Sequence, residues 1–422
     1  MKALGLHGRM RWVLLVGLIA LVAACGGGGG GGSTAVNSTT TVPSITVAGA
    51  NVLAVTVDAG PAGTVSNVNR LYTTVTVCPA GNTTQCQTID HVLVDTGSTG
   101  LRLLASVLNN PAAFRPMLAA GGQSLLNCVQ FVDNTYAWGP VASVDVTLGS
   151  KTASAVPVQI MGSATVSASA GNCLPGGGTE LNTVSALGAK GVLGLGLFQQ
   201  DCGAGCVSNS GNGYYYTCTD ASCTASVGAT AALTSQLTNP VVRFATDNNG
   251  FLITLPSVTP PGAASVTGVL VFGVGTQSNN QFTVGSVLTT NSGGDITTRW
   301  GSQTWRNSFI DSGSNGLFFD TSTLATCSTT SGVSGFYCPA SSQSFASVTL
   351  TGTNAVSASV SFRVDNAQTL AATGYKAQST LAGPIGDSRI FDWGLPFFYG
   401  RSVFYGIDQM PSSLGTGPLM AF

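Results

Sequence analysis

Two short segments constrain this chain more than any other feature: Val94-Asp95-Thr96-Gly97-Ser98 and Ile310-Asp311-Ser312-Gly313-Ser314. Each is an Asp-Thr/Ser-Gly-Ser turn. Each follows an apolar, strand-like run (Val92-Leu93-Val94; Phe309-Ile310) and precedes another (Leu101 to Leu104; Leu317 to Phe319). One lies in each half of the chain. Paired tight turns of this kind are what a protein needs to hold two acidic groups face to face around one water.

The chemistry of such a pair follows from electrostatics. Two carboxyls in close contact cannot both ionise comfortably, so they share one proton and titrate as a pair. The ionised member takes a proton from a trapped water as that water attacks an amide carbonyl, and the protonated member donates to the carbonyl oxygen. No covalent intermediate, metal or cofactor is required. Gly97 and Gly313 lack a Cβ, which lets each turn fold against the opposing one. Thr96 and Ser312 can lock the turns by hydrogen bonds across the interface, and Ser98 and Ser314 can donate to the outer carboxylate oxygens.

Strand signals dominate the rest of the chain. Short Val/Ile/Thr/Leu/Phe runs alternate with Gly, Asn, Ser and Pro, as in Val52 to Val57, Tyr72 to Val77, Ala142 to Leu148, Phe251 to Leu255, Val266 to Phe272 and Ser357 to Val364. Ala229 to Leu237 is the best short helix candidate, and Leu101 to Leu108 is ambiguous. The expectation is an all-β protein with few helices. The two halves also look distantly alike. In each, an Asp turn is followed roughly 80 to 100 residues later by an apolar pair and a glycine: Gly191-Val192-Leu193-Gly194-Leu195-Gly196, then Trp393-Gly394-Leu395-Pro396-Phe397-Phe398-Tyr399-Gly400. This predicts an N-terminal lobe over 46–250 and a C-terminal lobe over 251–422.

The first 25 residues read as an export signal, with basic Lys2, Arg9 and Arg11 ahead of an apolar run from Trp12 to Val22. That run ends in Leu21-Val22-Ala23-Ala24-Cys25, which resembles a bacterial lipobox. The resemblance implies cleavage before Cys25 and lipid on its sulfur, so that the protein is anchored to a membrane rather than spanning it. Gly26 is not the aspartate associated with inner-membrane retention. The expected address is therefore the bacterial cell envelope, at the outer membrane, facing the periplasm or the surface. Residues 26 to 45, rich in Gly, Ser and Thr, form a flexible tether of roughly 25 Å root-mean-square length.

Charged residues make up only 7% of the chain, and losing Lys2, Arg9 and Arg11 with the signal takes the formal charge from −1 to −4. That balance argues against nucleic acid as a partner, which would want a basic stripe. The expected partners are a peptide or protein substrate and, through the lipid, a membrane; the protein is expected to be a monomer.

Of eleven cysteines, ten remain besides Cys25, and an even number in an exported chain reads as up to five disulfides. Cys78 with Cys86 would close a hairpin loop, and Cys327 with Cys338 a loop after the second Asp turn. Cys202, Cys206, Cys218 and Cys223 have spacings that a zinc site could use, but an oxidising compartment favours disulfides. The stretch they bracket reads as a surface insertion held by its own disulfides, with Tyr214-Tyr215-Tyr216 as plain packing and loop surface. His91 is the only histidine of the processed chain. A Ser-His-Asp triad would depend on it alone, and it reads as a structural imidazole.

From about Asn51 to Phe422 the chain resembles the pepsin-like aspartic peptidases. The resemblance rests on both Asp turns, on Gly191 to Gly196, on Gly268-Val269-Leu270-Val271-Phe272-Gly273, which is similar to the strand that opens that family's second lobe, and on the closing run Phe397 to Asp408. It implies a bilobal fold of two related barrel-like lobes with a cleft between them. Asp95 and Asp311 are then the catalytic dyad of an endopeptidase. The family covers its site with a hairpin flap carrying a tyrosine. Here that region is Cys128 to Leu148, where Phe131, Tyr136 and Trp138 are the candidates. Two departures stand out. The family's tryptophan after the first turn falls on Arg102. Asp392 stands where an apolar residue belongs, so that it either faces solvent or marks a register shifted by one. The chain also resembles a group of exported bacterial proteins catalogued only as a domain of unknown function, which supplies no activity.

Two other readings fit parts of this pattern. A catalytically silent protein on the same body could capture a peptide, glycan or partner. Isolated Asp-Gly-Ser turns could also be merely structural in a lectin-like sandwich, although their agreement in order with four other segments speaks against it.

Overall fold

The computed structural model describes residues 44–64, 67–131, 134–166, 173 and 178–422. The signal, Cys25 and the tether up to residue 43 lie outside the described residues. Ser44 and Ile45, expected to end the tether, instead join the sheet: Ser44 bridges Thr267, and the Ile45 N–H donates to the Thr267 carbonyl.

The protein is mostly β and bilobal. A 16-stranded sheet carries the first half and continues into the second. Its seam is an antiparallel pair, Val52–Val57 against Val266–Phe272, in register from Val52 opposite Val271 to Val57 opposite Val266. Beyond the seam follow Gly250–Leu255, Arg401–Gly406, Leu419–Ala421 and Val287–Thr289. These strands form a floor to which both halves contribute. A separate seven-stranded sheet, from Ser357–Val364 at one edge to Ala382–Gly383 at the other, builds the rest of the second half. All six runs singled out by alternation lie in strands.

The Asp turns occupy equivalent places. The strand Gln87–Asp95 pairs in parallel with Gly191–Leu195, and after the turn Thr99–Leu104 returns along the other side of that same strand, antiparallel. In the second half Gln303–Ile310 pairs in parallel with Ile390–Trp393, and Leu317–Phe319 returns antiparallel on its far side. Each turn is thus looped over the end of a central strand that hydrogen-bonds both of its arms. This explains why the apolar-apolar-Gly segments belong to the pattern: Gly194 and Gly394 sit where a Cβ would strike the backbone of the turn, 2.7 Å from the Gly100 carbonyl oxygen and 2.7 Å from the Ser314 carbonyl oxygen.

Burial of alternate strand residues supplies the drive. The second lobe is packed by aromatic rings: Phe319 stacks on Phe391 at 4.6 Å, Phe391 on Trp393 at 4.1 Å, and Phe345 on Phe362 at 4.7 Å. Ring contacts of this kind add to plain area burial. Disulfides join Cys78–Cys86, Cys128–Cys173, Cys202–Cys206, Cys218–Cys223 and Cys327–Cys338. Among the described residues, no helix is long and apolar enough to cross a membrane.

Two local expectations are corrected. Ala229 to Leu237 is not an α-helix; apart from a single turn at Leu233–Ser235, its backbone bonds elsewhere. The Ala229 N–H donates to the Tyr215 carbonyl, the Ala231 N–H to the Cys206 carbonyl, and the Leu237 N–H to the Tyr215 hydroxyl. Tertiary partners outweigh a weak helical periodicity. The tyrosine cluster serves for packing, as expected, but not as loop surface. Tyr215–Cys218 adds a strand to Leu125–Gln130, and Tyr215 is fully buried.

Candidate active site

The two Asp turns meet where the lobes face each other. The Gly97 N–H lies 2.9 Å from Asp95 Oδ1 and 3.0 Å from Asp311 Oδ1, so one donor touches the inner oxygens of both carboxyls. The outer oxygens are held alike: Ser98 Oγ donates to Asp95 Oδ2 at 2.6 Å, and Ser314 Oγ to Asp311 Oδ2 at 2.9 Å. The Gly313 N–H adds a bond of 2.7 Å to Asp311 Oδ1.

The turns are locked to one another across the interface. The Ser312 N–H donates to Thr96 Oγ1 at 2.9 Å, the Thr96 N–H to Ser312 Oγ at 3.2 Å, and Ser312 Oγ to the Val94 carbonyl at 2.9 Å. Tyr405, from the floor, reaches the same knot, its hydroxyl 3.2 Å from both Thr96 Oγ1 and the Ile310 carbonyl. Glycine is required on sterics. A Cβ on Gly313 would lie 2.4 Å from Asp95 Oδ1, and one on Gly97 2.8 Å from Asp311 Oδ2. All eight turn residues are therefore brought into one arrangement.

Both carboxyls are fully buried. Burial, and then the charge of Asp311, hold the Asp95 carboxyl well above the usual carboxylate range. Burial raises Asp311 as well, offset by a hydrogen bond from Asp95 and by donation from the Gly313 amide and Ser314. One proton shared by the pair satisfies both groups. A cavity of ≈ 650 Å³ lies on the flank of the turns, lined by Gly97 and Ser98 of the first turn, by Gln200 and Tyr214, and by Asn291 and Phe309 of the second half; neither Asp95 nor Asp311 lines it. A hollow of ≈ 520 Å³ on the other face of the floor, at Leu252 and Phe404, is remote from the dyad.

The flap candidates lie in and beside one hairpin. The strands Leu125–Gln130 and Thr135–Leu148 do form a hairpin, with Cys128 opposite Trp138 and Gln130 opposite Tyr136. Phe131 is buried with Tyr72, Leu93 and Leu104, Trp138 packs edge-on against Tyr216 at 5.3 Å, and Tyr136 is half-buried beside Glu180. None of the three lines the cavity on the flank of the turns. His91 is also remote. It pairs with Asp90 and Asp58 at the surface and sits edge-on to Tyr72. Among the described residues, no group of three or more His, Cys, Asp or Glu is placed to hold a metal ion.

Arg102 shows what replaces the tryptophan. Its guanidinium is buried behind the first turn, donating from Nη1 to the Thr99 carbonyl at 3.0 Å and lying 3.8 Å from Asp201 Oδ2. Asp201 accepts from Asn127 Nδ2 at 3.0 Å and from the Tyr215 hydroxyl at 2.6 Å. Burial pushes its carboxyl up to about 6, against the opposing pull of Arg102. Sequence reasoning missed Asp201, Tyr215 and Tyr405. The available signal was the arginine itself, because a cation at an apolar site demands a buried counter-ion.

Asp392 neither faces solvent nor marks a slipped register. It is fully buried, opposite Phe309 and Phe318, in the strand matched from sequence.

The family described as "Protein of unknown function (DUF3443)" matches residues 47–422. No curated protein matches the chain. Among solved structures, the aspartic proteinase from Irpex lacteus is similar at 16% identity, with a TM-score of 0.47, covering 88% of this chain and 96% of that one.

Proposed function

We propose a function for a chain that belongs to the DUF3443 family of proteins of unknown function: it is an aspartic endopeptidase of pepsin-like type. One observation carries the reading. A single amide, Gly97 N–H, bonds the inner oxygens of Asp95 and Asp311, which come from turns on opposite lobes.

With one proton between them, the two carboxyls divide the work. The Asp311 carboxylate takes a proton from a water as its oxygen attacks the peptide carbonyl carbon, and the Asp95 proton passes to the carbonyl oxygen. The resulting gem-diol collapses as the dyad returns a proton to the amide nitrogen. The C–N bond breaks, an acid and an amine leave, and the dyad regains its single proton. Ser98 and Ser314 keep the carboxyl planes fixed during these transfers.

The test is digestion of a peptide library between about pH 3 and about pH 7 by the native protein beside Asp311→Asn. Peptide fragments from the native protein alone support the reading, and equal digestion by both removes it. A second reading, a silent binding protein on the same body, is favoured by the complete burial of both carboxyls. In that case Asp311→Asn would bind peptides as the native protein does, and neither would cut.

Five disulfides support an oxidising compartment. We place the protein in the bacterial cell envelope, tethered by lipid on Cys25, with Cys25→Ser expected to move it from the membrane to the soluble fraction.

A further inference from the structure

Asp392 has no part in a two-carboxyl scheme, yet it is built into the second turn from both sides. Its strand runs between the two arms of that turn, with Phe309 opposite on one side and Phe318 on the other. The Asp311 N–H donates to the carbonyl of the next residue, Trp393, at 3.0 Å, and the Leu395 N–H donates to the Ser314 carbonyl at 2.8 Å. The position that corresponds in the first half, opposite Leu93, is Val192. The acid is peculiar to one lobe.

Among the described residues neither oxygen of Asp392 meets a partner at bonding geometry, and the side chain is fully buried. The titratable groups that face it are Asp311 and, from the floor strand Arg401–Gly406, the Tyr405 hydroxyl. Among the described residues no cation acts on it. A carboxylate in such surroundings is strongly disfavoured, and a neutral carboxyl with one O–H to donate is not. The acceptor at hand is Ser314, whose hydroxyl bonds Asp311 Oδ2 and lies near enough to Asp392 to offset part of the upward push of burial and of Asp311.

We propose that Asp392 is a positioning residue for the dyad: it stays protonated and donates to Ser314 Oγ, completing a chain from Asp392 through Ser314 to Asp311 Oδ2. A hydroxyl that accepts one hydrogen bond becomes a better donor to the next. The chain therefore strengthens the bond that steadies the ionised form of Asp311. The catalytic consequence rests on the peptidase reading; the proton on Asp392 does not.

Two variants and two readouts test this. Asp392→Asn keeps a donor toward Ser314, and Asp392→Val installs the residue of the first lobe. In peptide cleavage, Asp392→Val is expected to lower kcat about tenfold and to move the acid limb of the pH profile up by about one unit, with KM nearly unchanged. Asp392→Asn should stay within about threefold of the native protein. An Asp392→Val profile that overlays the native one overturns the proposal. The second readout needs no activity. Difference infrared spectra near neutral pH should show a protonated-carboxyl C=O band that disappears in Asp392→Asn. A band set unchanged by that substitution overturns the proposal, whether or not the protein cuts peptides.

Discussion

The two Asp turns obey one plan and differ in what stands behind them. In the first, the turn is backed by a buried cation, Arg102, with Asp201 as its counter-ion. In the second it is backed by a buried acid, Asp392, with no cation acting on it among the described residues. The turns themselves are near copies, each with a central strand between its arms, a serine on the outer oxygen and a glycine against the opposite carboxyl. The two halves share the contacts that converge on the paired carboxyls, while the supports outside that contact set differ.

The largest expected effect tests the shared part. Gly313→Ala forces a methyl to within 2.4 Å of Asp95 Oδ1, so the carboxyls must part. Cleavage should fall by about a thousandfold, read as kcat/KM on a denatured protein substrate. Gly97→Ala, at 2.8 Å from Asp311, should do nearly as much. A mild effect from either would mean that the lobes can separate without loss.

Next comes the divergent support of the first turn. Arg102→Met leaves Asp201 buried without its cation and should destabilise the protein by about 3 kcal/mol in denaturant unfolding. Adding Asp201→Asn should recover most of that loss, because the uncompensated charge is gone. Additive losses in the double variant would show that the pair is not coupled.

A smaller effect concerns pH. The Asp201 carboxyl is raised to about 6 in the folded protein, above the unfolded value of about 3.9. Its contribution is therefore fully present below about pH 4 and is lost as pH rises through about 6, on the order of 3 kcal/mol in all. Burial raises Asp95, Asp311 and Asp392 in the same direction. The thermal midpoint should accordingly fall from about pH 4 to about pH 7, less steeply in Asp201→Asn.

The smallest expected change is at the lock. Thr96→Val removes one acceptor for the Ser312 N–H and should lower stability by about 1 to 2 kcal/mol. Cleavage should drop more than stability alone explains, since the lock sets the spacing of the two acids.

The shared plan was legible in the sequence and the divergent supports were not, for a physical reason. Asp-Thr-Gly-Ser and Asp-Ser-Gly-Ser carry their own chemistry, and the apolar runs around them declare the strands that hold them. Even the register of the second central strand could be matched, although Asp392 looked like a reason to doubt it. Arg102, by contrast, acquires meaning only from Asp201, just ahead of a cysteine-bracketed insertion, and Asp201 only from Tyr215 inside it. Ala229 to Leu237 failed for the same reason, because its backbone partners lie in other segments. Local pattern reports what a segment supplies to itself. Buried polar networks are supplied from elsewhere in the chain.

The most direct test of the account is the action of Asp95→Asn on a denatured protein, with its folding checked against the native chain by thermal unfolding. The account expects an intact fold and no cleavage products where the native protein yields them. Products formed by the variant at the native rate would contradict it, because no proton could then be passing between Asp95 and Asp311.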